Sequence, residues 1–202
     1  MTIKYHLGLA IPGIVAILLS SCGPVPQKEI DAAQAAIDSA KTTGADIYAS
    51  DSFVALQDSL EVILEQIQEE KSDFFANYDS LTIQLNYISQ QADELSSQTA
   101  TKKLEIGNQI QSTMAEVRNL ISANKQIMLE VPQGKEATET LQNIQQALNS
   151  VESAVAETDS LVSTGQLIPG LDKAMIAKEK VTTINSELQT MVDKIKIKTR
   201  RS

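Results

Sequence analysis

Apolar residues recur along most of this chain at alternating steps of three and four. That spacing places side chains on one face of an α-helix. From Gln27 onward the chain is also rich in Ala, Leu, Gln, Glu and Lys, which favour helix. Ile30, Ala33, Ile37 and Ala40 predict a first helix over residues 27–42, closed by Gly44 as a left-handed cap. Residues 45–50 read as a connection, with Ser50 or Asp51 able to cap a second helix over 52–72. Its seam is Phe53, Leu56, Leu60, Ile63 and Ile67. Tyr78, Leu81, Leu85, Ile88, Ala92 and Leu95, then Ile106, Ile110, Met114, Val117 and Ile121, predict a long third helix over 78–131. The pattern weakens from Ser96 to Thr101, and Gly107 costs about 1 kcal/mol of helix propensity relative to Ala. A bend or fray is therefore expected over 96–107, with a full break as the alternative.

Leu141, Ile144, Leu148, Val151, Val155, Thr158 and Val162 form the seam of a fourth helix over 137–163. Gly165 caps it, and Pro169-Gly170 predicts a turn. Ala177, Val181, Ile184, Leu188, Met191 and Ile195 mark a fifth helix over 171–196. No stretch alternates as a strand would. The expected fold class is all-α: an elongated antiparallel helical bundle with coiled-coil-like heptad seams, preceded by a signal helix.

Composition narrows the function. The 202 residues carry 17 basic and 26 acidic side chains, a formal charge of −9. Such a chain is a poor nucleic-acid binder, which needs a basic face. It has no tryptophan, one histidine (His6) and one cysteine (Cys22).

The start of the chain has its own pattern. Lys4 precedes an apolar run from Leu7 to Leu19, followed by Ser20, Ser21 and Cys22. A positive residue, a short apolar stretch and small residues are the parts of an export signal. The run is shorter than the roughly 20 residues that span a bilayer, and Pro12-Gly13 interrupts it. Leu19-Ser20-Ser21-Cys22 resembles the lipobox of bacterial lipoproteins. That resemblance implies cleavage before Cys22 and attachment of lipid to its thiol, and two or more acyl chains anchor stably. Gly23, rather than aspartate, follows the cysteine, which leans towards the outer membrane under enteric-type sorting. The expected organisation is a signal peptide over 1–21, lipid attachment and linker over 22–27, a helical region with the long third helix over 28–131, and a C-terminal hairpin with a basic tail over 132–202. The mature 181 residues then hold no histidine and no free thiol, and their formal charge is −10 because Lys4 is lost.

Further residues carry a second resemblance: Glu29-Ile30-Asp31-Ala32-Ala33, Ala36-Ile37, Gly44-Ala45-Asp46-Ile47-Tyr48-Ala49 and Asn77-Tyr78-Asp79. Over roughly residues 28–90 the chain resembles the helical bacterial lipoproteins carrying domain of unknown function 4398. Ser50 stands where that pattern often has proline. The resemblance implies a helical envelope lipoprotein and brings no activity with it.

Candidate sites are few. Tyr48, Phe53, Phe74, Phe75 and Tyr78 flank the first two turns. They read either as bulk plugging the hairpin ends or as an aromatic patch for a partner protein. Glu61, Glu65 and Glu69 share a helix face, but the Glu-x-x-His pattern of two-metal bundles is missing, so no metal site is expected. Lys194, Lys196, Lys198, Arg200 and Arg201 form a basic tail. They suit either the negative end of a helix dipole or an anionic surface. With no histidine or cysteine nucleophile, no glycine-rich phosphate loop and no serine elbow, neither an enzyme nor a cofactor is expected. The expected function is that of a non-catalytic, lipid-anchored envelope protein contacting other envelope proteins or peptidoglycan. It would lie at the outer membrane facing the periplasm, with self-association open. The alternative is a periplasmic module holding a small apolar ligand between helices.

Overall fold

The computed structural model describes residues 24–73, 75–131 and 135–201; for 135–137 and 198–201 it describes the backbone only. The expected signal helix, Cys22 and Phe74 lie outside the described residues. Six helices follow one another: α1 (Gln27–Thr43), α2 (Ala45–Tyr48), α3 (Ser50–Glu70), α4 (Asp79–Glu130), α5 (Lys135–Ser163) and α6 (Leu167–Arg201). Among the described residues there is no strand, so the chain is an all-α bundle as its spacing predicts.

Helix α4 is the common spine. Its 52 residues are unbroken, which at 1.5 Å per residue makes it about 78 Å long. The expected bend or fray at 96–107 does not interrupt it. Along its first half the buried positions are Leu81, Leu85, Ile88, Ala92, Leu95 and Thr99, a strict alternation of fours and threes. The next fully buried seam residue is Ile110, eleven residues after Thr99. Eleven residues make close to three turns of straight helix, so the buried face carries through without a break. From Ile110 the seam resumes through Met114, Val117, Ile121 and Asn124.

The partners of α4 change at this gap. Its first half packs with α1 and α3 around Ala33, Ile37, Ala40, Leu60, Ile67 and Leu85. Its second half packs with α5 and α6 around Val117, Leu148, Val151, Val181 and Leu188. A small cluster of Ile110, Met114 and Ala174 lies between the two.

Side-chain pairs fix the directions. Thr43, at the end of α1, meets Ser96, so α1 runs alongside α4 towards its middle. Helix α3 runs back: its start, Ser52, lies beside Gln98 and its end, Glu69, beside Ser80. In the other half, Asp159 and Glu152 of α5 pair with Arg118 and Lys125, so α5 is antiparallel to α4. Glu116 pairs with Lys178, and Asn124 donates to the Val181 carbonyl, so α6 is parallel to α4. Each half is thus an up-down-up three-helix bundle. The N-terminus of α1 lies at one end of the rod and the C-terminus of α6 at the other.

Two local readings need correction. Pro169-Gly170 is not a turn between helices; it lies in the first turn of α6. There a proline removes an N–H that has no intrahelical partner, so the helix tolerates it. The expected linker is also partly docked. Val25 packs against the first cluster, and the Pro26 carbonyl accepts from the Ile30 N–H at 3.1 Å.

Candidate functional site

The five aromatic positions do not form one surface. Tyr48, Phe53 and Tyr78 are buried in the core, whereas Phe75 is 74% exposed. Tyr48 and Phe53 sit near the middle of the rod, and Phe75 and Tyr78 at the turn preceding α4. The ring of Tyr48 is enclosed by its own chain. A Cβ placed on Gly44 would stand 3.2 Å from it, and the Lys103 amine lies 5.6 Å from its centroid. Three of the five are thus core side chains, Phe75 is exposed, and Phe74 lies outside the described residues.

Around Tyr48 the two halves are clasped. Gly44 adopts φ +102° and ends α1 as a left-handed cap, with its N–H bonded to Lys41 O. Lys103 Nζ donates to Thr43 O at 3.0 Å, and Lys102 Nζ to Tyr48 O at 2.6 Å. These carbonyls end α1 and α2, where unpaired C=O groups concentrate partial negative charge. Thr43 and Ser96 hydroxyls meet at 2.7 Å. The Tyr48 hydroxyl reaches to 3.5 Å from the carbonyl of Gly165, in the α5–α6 turn. Both inner turns thus meet at the middle of α4. Hydrophobic periodicity misses this clasp because its seam residues are amines and hydroxyls. The adjacent lysines level with Gly44 were its one visible sign.

A second surface is an open groove along α3 and α4. On α3 it is lined by Ser52, Ala55, Ser59, Val62, Gln66 and Glu69, and on α4 by Gln84, Tyr87, Gln91, Glu94 and Gln98. Both series advance by threes and fours, so each is a second seam beside the buried one. Leu56, Ile63, Ile88 and Leu95 floor the groove, while Val62 is 51% and Tyr87 61% exposed. Asp58 and Glu94 add negative charge. Its mouth at the outer turn is more acidic, with Glu69, Glu70 and Asp73 around a cavity of about 460 Å³. Apolar seams alone did not reveal this groove, because most of its rim is polar.

The remaining candidates separate by place. Glu61, Glu65 and Glu69 are exposed on α3. Among the described residues no three His, Cys, Asp or Glu side chains converge to hold a metal ion, and no helix is long and apolar enough to cross a membrane. Lys194 and Lys196 are exposed near the end of α6. Lys198, Arg200 and Arg201 follow on the same helix, and their side chains lie outside the described residues. With Asn124 level with Val181, the end of α4 is level with about residue 187 of α6, so the basic stretch overhangs the spine.

Comparison with protein-family models, curated proteins and solved structures gave no match. The likeness to lipobox lipoproteins and to domain of unknown function 4398 rests on the residues quoted above.

Proposed function

We propose that this chain is a lipid-anchored spacer of the bacterial cell envelope, with a contact role and no catalytic one. Cys22 is the attachment point, and the membrane concerned is the outer membrane, with the protein facing the periplasm. The observation that supports this most is polarity of placement. Residue 24 enters the bundle at one end, and the basic α6 terminus lies at the other, about 80 Å away along a spine of continuous helix. A protein tethered by its first mature residue would therefore present its cations away from its own membrane, towards an anionic wall polymer or another envelope protein.

The anchor is tested by mass spectrometry of the mature N-terminus together with cell fractionation. The expected result is a diacylated Cys22 at the new N-terminus, in the outer-membrane fraction. An unmodified Cys22, or a retained segment before it, overturns the reading. The contact role is tested by cross-linking in intact cells. A reproducible partner or wall adduct lost on Lys194→Glu with Lys196→Glu supports it, and no adduct in either strain contradicts it.

A further inference from the structure

The charge of this protein is unevenly distributed along the rod. Residues 27–103, the half nearest the N-terminus, hold 14 acidic against 5 basic side chains. Residues 104–202 hold 12 acidic against 11 basic, and within 193–202 the basic ones number five against one. The groove between α3 and α4 lies in the acidic half, with Asp58 and Glu94 along it and no cation among its lining residues. It is open over nearly the whole of α3, and its stripes keep the spacing with which helices pack into one another. The matching surface on the same chain is the end of α6, where Lys194 and Lys196 are exposed and Ile197 offers an apolar side chain 52% exposed. The two cannot meet within one molecule, because the unbroken α4 holds them at opposite ends of the rod.

We propose that two copies pair antiparallel, the α6 end of each seated on the acidic α3–α4 groove of the other. Such a pair is isologous: one two-fold axis makes both contacts at once. Groove against groove would set acid against acid, and end against end cation against cation, so charge selects this arrangement over both. The association itself does not depend on the anchor.

The test is sedimentation velocity on the chain from residue 22 onward carrying Cys22→Ser, which cannot be lipidated. The expected result is a dimer in about 0.05 M salt that dissociates in about 0.5 M, where screening shortens the reach of exposed charges. Asp58→Lys with Glu94→Lys, and separately Lys194→Glu with Lys196→Glu, should each weaken dimerisation about tenfold or more while circular dichroism stays unchanged. Mixing the two variants should restore the dimer, because in the mixed pair both contacts are again opposite in sign. A monomer at all salt concentrations overturns the proposal. So does a dimer that neither reversal weakens, or one that mixing fails to restore.

Discussion

The two halves of this rod solve the same packing problem with different side chains. In the N-terminal half the buried seams are rich in alanine: Ala33, Ala36, Ala40, Ala45, Ala76 and Ala92. Small side chains let α1 lie close to α4, and bulk is supplied at the ends by Tyr48, Phe53 and Tyr78. In the C-terminal half the seams are mostly Val, Ile and Leu, with no aromatic residue after Tyr87. The ion pairs divide the same way. Among the described residues, Arg118–Asp159, Lys125–Glu152, Lys173–Glu157 and Lys178–Glu116 all join helices of the C-terminal half. The N-terminal half carries more net charge and, among the described residues, no such pairs. One half is therefore tightly packed with its charge uncompensated, and the other is aliphatic and nearly neutral. The common helix makes them one body, with the Tyr48 hydroxyl 3.5 Å from the Gly165 carbonyl where the two inner turns meet.

The largest expected effects come from emptying either core. Leu148→Ala in the C-terminal half and Leu85→Ala in the N-terminal half each remove a fully buried side chain. Each should cost about 2–5 kcal/mol in urea unfolding. Because α4 is shared, either substitution should move a single transition. Two transitions in the wild type, with one substitution shifting only one of them, would break the idea of a single cooperative body.

The two inner turns come next. Gly44 and Gly165 both have positive φ, but only Gly44 faces a ring that an added Cβ would crowd. Gly44→Ala should cost more than about 1 kcal/mol, and Gly165→Ala about 1 kcal/mol or less. Equal costs would mean that the Tyr48 contact contributes little.

The clasp is the third probe. Lys102→Met with Lys103→Met removes the amines from the Tyr48 and Thr43 carbonyls, and about 1 kcal/mol is expected. Its sharper signature is local: amide exchange should quicken in peptides spanning 96–107 and 40–50. Exchange unchanged there would mean that the two amines do little to hold the ends of α1 and α2 on α4.

Salt gives the smallest effect and the cleanest contrast. Arg118→Ala should cost less than about 1 kcal/mol, since both partners of the pair are more than half exposed. Raising the ionic strength should slow amide exchange in the N-terminal half, whose self-repulsion is screened, and leave the C-terminal half unchanged or faster. The same response in both halves would remove charge from the comparison.

How much of this was legible follows from what each side chain does. The aliphatic seams of α5 and α6, and both flanks of α4, announce themselves because burial selects apolar residues at fixed spacing. The long α4 was expected as well, but what carries it through residues 96–107 was not. Its middle is held by Ser96, Lys102 and Lys103, whose partners are a hydroxyl and two carbonyls of α1 and α2, and periodicity of apolar residues is blind to those. Pro169 misled because a proline breaks a helix interior but not a first turn. The aromatics misled in part because a turn-flanking tyrosine or phenylalanine has the same sequence signature whether it faces the core or a partner. The α3–α4 groove was written in polar stripes, which read as ordinary solvated faces until the fold set them side by side.

The account turns on one long helix that holds the N-terminal entry and the basic end apart. Small-angle X-ray scattering of the same unlipidated Cys22→Ser chain in about 0.5 M salt measures this directly. The expected maximum dimension is about 90–100 Å, from the length of α4 plus the overhang of α6. A value near 50–60 Å, as for two bundles folded back on each other, would contradict it.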